Sequence, residues 1–191
     1  MIANLLRRPR TVGEYAADAA RLIGLVSIAV AWFAFEPTDA GVLAAALPVL
    51  LVPRLLGVAA WFDVASCLVV LVAAWSNVID LYTTVPGWDL AVHFVCTGVL
   101  ALLAYVALAR ADVVPAPSDP RFRARIALTL VPALGLALSA LWEMVEWFGW
   151  AVITDTISVG YVDSIGDLAA GGVGSVAAAL LLLRVDVDRE R

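Results

Sequence analysis

The stretch WDLAVHFVCTGVLALLAYVALA, residues 88–109, decides the fold. Wound as an α-helix at 1.5 Å per residue it is about 33 Å long, enough to cross the hydrocarbon core of a bilayer. The turn Thr84-Val85-Pro86-Gly87 precedes it and Arg110 closes it. Asp89 and His93 stand near its start, and the rest is almost wholly apolar, without the polar face that a surface helix of a soluble protein carries. It reads as a membrane span.

Five further stretches read the same way. The first covers about 21–35, with a helical-looking extension back through 14–20, and ends at Glu36-Pro37-Thr38-Asp39. The second, about 40–52, is short, holds Pro48 and is closed by Pro53-Arg54. The third, about 58–79, carries Asp63 near its start and Asp80 at its close. After residues 88–109 come a fifth span over about 126–150, with a kink expected at Pro132, and a sixth over about 164–183. Residues 111–125 form a loop marked by Pro115, Pro117 and Pro120. The expectation is an all-α, polytopic transmembrane bundle of six helices spanning 21–184. It is flanked by an interfacial N-terminal segment, 1–20, and a tail, 185–191. No repeat or second domain is visible, and the late first apolar run does not resemble a cleaved signal.

Composition agrees. Of 191 residues, 63% are apolar and 15% charged, where a soluble domain carries about a quarter charged. That excludes a soluble enzyme or a nucleic-acid binder. Cys67 and Cys96 lie in separate apolar runs and do not suggest a disulfide framework.

Charge sets the orientation. All twelve basic residues are Arg, and they precede span one, follow span six, or lie between two and three and between four and five. With six spans these places share one side, which the positive-inside rule makes cytoplasmic, so both termini are expected there. Eight acids lie among them, leaving +4. The other nine, Glu36, Asp39, Asp80, Asp89, Glu143, Glu146, Asp155, Asp163 and Asp167, fall on the outer side with His93 and no Arg or Lys, giving −9.

Spacing groups these residues. Asp89 and His93 are i,i+4 on one helix face, Glu143 and Glu146 are i,i+3, and Asp163 and Asp167 are i,i+4. Ionisable groups in spans normally face the bundle interior or a wet cavity. Converging faces would make an outward-opening acidic pocket with one imidazole. Asp89 and Asp163 also suit plain helix N-caps, where the dipole favours an anion. Glu143 and Glu146 sit toward a helix C-terminus, where it does not, so shared protons or a bound cation must offset them. Carboxylates plus imidazole, without thiolate, suit Mg, Ca, Mn or Zn. The candidate metal ligands are therefore Asp89, His93, Glu143, Glu146, Asp163 and Asp167. The competing readings are a protonated hydrogen-bond network, with His93 fixing helix packing, and exposed acids that never meet.

Other features read as structure. Trp75, Trp88, Trp147 and Trp150 suit an outer aromatic belt and Trp61 an inner one. The run Ala169-Ala170-Gly171-Gly172-Val173-Gly174-Ser175 permits close helix approach within the protein rather than a dimer face.

These residues carry a resemblance. Val78-Ile79-Asp80-Leu81-Tyr82 and Trp88-Asp89-Leu90-Ala91-Val92-His93-Phe94 with Gly98 resemble the first block of the YjdF family of bacterial inner-membrane proteins. Leu141-Trp142-Glu143-Met144-Val145-Glu146-Trp147 resembles the second block, and Tyr161-Val162-Asp163-Ser164-Ile165-Gly166-Asp167-Leu168 with the small-residue helix resembles the third. The match covers about 58–183. A more distant similarity is to the VanZ-like group, linked to glycopeptide resistance, which would carry an amide or a single Glu where this chain has Glu146. The resemblance implies a multi-pass protein of the bacterial cytoplasmic membrane. It adds weight to the six residues as a functional set, and it names no substrate.

Three functions fit. A metal-assisted enzyme, hydrolase or transferase, would act on a lipid or envelope precursor, with Glu143 or Glu146 as general base and His93 as acid or ligand. A cation or proton binding protein or transporter would use the same acids. A non-catalytic scaffold or envelope-resistance factor would use them only to pin helix ends.

Overall fold

The computed structural model describes residues 2–154, 157 and 159–189. The outer acid Asp155, and Glu190 and Arg191 of the tail, lie outside the described residues. Among the described residues the chain is all helical, apart from one isolated bridge between Val58 and Asp188. The helices are α1 (Ile2–Leu5), α2 (Val12–Ala34), α3 (Pro37–Leu56), α4 (Ala60–Val78), α5 (Leu81–Thr84), α6 (Trp88–Arg110), α7 (Ala124–Val152) and α8 (Tyr161–Leu182). Six of them, α2, α3, α4, α6, α7 and α8, are long and apolar enough to cross a membrane. They fall into two compact units, residues 1–86 with 186–191, and residues 87–185.

Two helix boundaries differ from the sequence reading for identifiable reasons. The first long helix includes the expected extension over 14–20 and begins two residues before it, at Val12, because Thr11 caps it: its hydroxyl accepts from the Glu14 N–H at 3.2 Å. The second runs from Pro37 through both Pro48 and Pro53 to Leu56, so Pro53-Arg54 does not close it. A proline removes one donor from a helix. In an apolar span the freed chain finds no water, so leaving the helix there would cost more backbone bonds than staying. The stop comes at Gly57, whose positive φ of 69° turns the chain and lets its N–H reach the Pro53 carbonyl at 3.0 Å. Its start is a capping box between Glu36 and Asp39, with Pro37 in the first turn.

In the first unit α2, α3 and α4 pack on one another. Leu50, Cys67, Val70 and Leu71 are buried near one end with Ala20, and Ala31, Leu43, Ala74 and Val78 near the other. Trp75 is less a lipid anchor than a packing residue. Its indole donates to Ser27 Oγ at 3.0 Å and meets Phe35 edge to face at 6.0 Å. Asp80 does not end α4; it occupies the left-handed turn (φ 55°) before α5.

The arginines of this unit are tied into an ionic network. Arg21 pairs with Asp63 and with Asp18 (3.0 Å), and Arg54 pairs with Asp18 (2.8 Å). Glu14 is held by Arg7 at 2.7 Å and Arg189 at 3.2 Å. Asp63 is thus held directly by Arg21. Segment 186–189 docks here too: Ala59 N–H donates to the Val187 carbonyl at 2.8 Å, Trp61 Nε1 to the Asp186 carbonyl at 3.2 Å, and Val187 is buried. Breaking one partner of a buried pair leaves an uncompensated charge. Arg21→Met is therefore expected to lower stability by about 3 kcal/mol. Thermal unfolding of the detergent-purified chain checks this, and the double variant Arg21→Met with Asp63→Leu should recover most of the loss.

The second unit contains α6, α7 and α8, each against the other two. The small-residue run of α8 packs inward. A Cβ placed on Gly98 would lie 2.8 Å from the Gly174 carbonyl oxygen, and one on Gly135 would lie 1.8 Å from Ser175 Oγ. The three backbones meet more closely than side chains would allow. In the loop before α7, Arg121 grips Asp119 at 2.8 Å, and these hydrogen bonds hold the Asp119 carboxyl down at about 2.

Candidate functional site

Helix direction assembles the site. α6 and α8 start at one end of the second unit and α7 ends there, so Asp89 and His93, Glu143 and Glu146, and Asp163 and Asp167 lie toward that end. Arg110, Arg123, Arg125 and Arg184 lie toward the other, at or beside the opposite helix ends. α7 runs on to Val152, so its two glutamates sit about two turns inside the helix rather than at its tip.

His93 is the centre. Its ring is 7% exposed, and Nε2 lies 3.4 Å from Asp89 Oδ1 and 3.9 Å from Asp167 Oδ2. Two sets of ligand atoms come within 4.8 Å of one another, Asp89 with His93 and Asp167, and His93 with Glu143 and Glu146. Oxygen or nitrogen ligands about 2.0–2.5 Å from a common ion are separated by up to about 4–5 Å, so each set has the span of a coordination shell. Asp163, on the first turn of α8, enters neither set, although its charge acts on Asp89 and Asp167.

Burial makes this cluster expensive. Asp167 is 2% exposed, and Glu143 Oε1 is buried with no hydrogen-bond partner among the described residues. Four carboxylates around one imidazole repel one another, and no Lys or Arg stands at this end of the second unit's spans. The donors present are neutral. Trp142 Nε1 donates to Glu146 Oε1 at 2.8 Å, across one helical turn. Trp142 lies outside the sequence-derived set, although its i,i+4 spacing to Glu146 was readable.

A second layer of polar and small residues lies behind the cluster. One turn further in, Thr97 follows His93 on α6, Ser139 precedes Glu143 on α7 and Gly171 follows Asp167 on α8. A Cβ on Gly171 would lie 2.9 Å from Thr97 Oγ1 and 3.0 Å from Ser139 Oγ, so both hydroxyls converge on the bare backbone there. The readable signal was the repeated step of four residues from three ionisable positions.

Residues 19–188 match the family model described as predicted membrane protein (DUF2238). The chain belongs to this family. Neither the curated proteins nor the solved structures contain a match. The DUF2238 match takes in nearly all of the six long helices and every one of the six candidate ligands. The family description is that of a membrane protein, and the six helices long and apolar enough to span make it a multi-pass protein of a lipid bilayer. It assigns no activity.

Proposed function

We propose that this DUF2238 protein binds a divalent cation, Mg, Ca, Mn or Zn, through Asp89, His93, Glu143, Glu146 and Asp167, with Asp163 at the rim. Two sets of ligand-length spacing that share His93, one with Asp89 and Asp167 and one with Glu143 and Glu146, carry this reading. An ion offsets the repulsion that no nearby Arg relieves, and it gives the orphaned Glu143 Oε1 a ligand.

The cation serves a membrane enzyme acting on a lipid or envelope precursor. Bound there, it would polarise a carbonyl or phosphoryl oxygen or activate water. Glu143 or Glu146 is placed to take a proton and His93 to orient the group that receives it. Because the Arg-rich helix ends mark the cytoplasmic side, both termini lie inside and the site opens outward. The similarity to the YjdF family, and more remotely to the VanZ-like group, supports a bacterial cytoplasmic membrane. Carriage of protons or cations is less well supported. Beyond Ser175 the buried interior of the second unit is apolar except for Tyr105, whose hydroxyl donates to the Pro115 carbonyl at 2.8 Å, and its spans hold no Asp, Glu, His, Lys or Arg between the cluster and the opposite ends.

Elemental analysis of the full chain purified in detergent tests the cation reading. One divalent ion per chain is expected, removable by chelator and missing from the His93→Ala variant. A wild-type chain that takes up no Mn2+, Zn2+, Mg2+ or Ca2+ at millimolar concentration would sink it.

A further inference from the structure

Among the described residues, four of the five buried serines have evident partners. Ser66, Ser76 and Ser175 bond back to the carbonyl four residues earlier, at 2.7, 2.6 and 2.8 Å, and Ser27 accepts from Trp75. Ser139 does not. It is 2% exposed, and its Oγ has no hydrogen-bond partner among the described residues. Glu143 Oε1, one helical turn along the same face of α7, is buried and equally without a partner. Side chains at i,i+4 stand about 5–6 Å apart at Cβ on one helix face, so the polar tips of the two share one side of α7, where a single oxygen at ordinary hydrogen-bond length can serve both. The Ser139 and Thr97 hydroxyls close over Gly171, where a Cβ would already lie within 3.0 Å of both, so the bridging oxygen belongs on the Glu143 side of Ser139.

We infer that Ser139 and Glu143 hold a bound water between them, on the inner side of the His93 cluster. A buried water needs two to four polar partners, and Ser139 and Glu143 supply two. Ser139 donates to the water or accepts from it, the water donates to Glu143 Oε1, and the carboxylate is thereby aimed toward His93. Ser139 is a positioning residue. The water site stands on its own geometry; only its role in orienting a cation ligand rests on the proposed cation.

The sign of the effect of Ser139→Ala decides the matter. If the hydroxyl is an orphan, removing it relieves an unpaired buried group, so Tm rises and Mn2+ affinity stays within about twofold. If it anchors the water, its loss strands Glu143. Tm then falls in the metal-free protein and Mn2+ binding, followed by electron paramagnetic resonance, weakens by about tenfold, as for other groups that orient ligands. Ser139→Thr, which retains the hydroxyl, should restore the affinity. The combination with Glu143→Gln should be non-additive. A raised Tm with unchanged Mn2+ binding overturns the water site and leaves the cation reading standing. A lowered Tm in a chain that binds no Mn2+ upholds the water site and removes the cation.

Discussion

Gly174→Ala should be the most damaging small substitution in the protein, lowering stability by about 3 kcal/mol or more. The added Cβ would lie 1.9 Å from the Phe94 carbonyl oxygen, 2.7 Å from its carbon and 2.9 Å from Phe94 Cα. All three are backbone atoms of α6, so no rotamer change makes room. Relief requires α6 and α8 to part by more than an ångström. Phe94 follows His93 directly, and Gly174 lies two turns beyond Asp167, so parting the helices also opens the His93–Asp167 approach. The companion change Gly41→Ala meets nothing within 4 Å in α3 and should stabilise by about 0.5–1 kcal/mol through helix propensity alone. Thermal unfolding in detergent distinguishes the two. Equal midpoints for both variants would mean that α6 and α8 do not meet at this crossing.

The second large effect concerns selectivity among the six acidic and imidazole positions. His93→Ala and Asp167→Asn should each weaken Mn2+ binding by at least about 100-fold, at the upper end of what even ligand-orienting groups contribute. His93 belongs to both ligand sets, and Asp167 is a buried member of the first. Asp163→Asn should change affinity by no more than about threefold, because its carboxylate enters neither set and acts at a distance. Titration calorimetry or the Mn2+ resonance signal reads all three. If Asp163→Asn costs as much as Asp167→Asn, the ion is centred further toward the start of α8 than the His93 geometry places it.

The extent to which this was legible follows from the kind of information each feature needs. The six spans could be read because Arg and turn residues punctuate long apolar runs, and a bilayer leaves little else for such runs to do. Asp89, His93, Glu143, Glu146 and Asp167 could be read because charge inside a span is costly enough to demand a reason. Thr97, Ser139 and Gly171 are commonplace in apolar helices, and only their meeting across three helices gives them meaning. The run of α2 back through 14–20 was legible, and its first two residues follow from the cap in Thr11-Val12-Gly13-Glu14. The passage of α3 through Pro53 was not, since proline chemistry alone argues for a stop there.

The docking of segment 186–189 has a consequence for how the molecule is made. Trp61 waits for Asp186, 125 residues further along the chain, and Ala59 for Val187. During synthesis, α2, α3 and α4 emerge together, yet their grouping stays unfinished until α8 has left the ribosome. For that whole interval Glu14 is without Arg189, and a fused reporter placed directly after Asp188 would compete for the same berth. The earliest helices to enter the membrane are thus among the last to be completed.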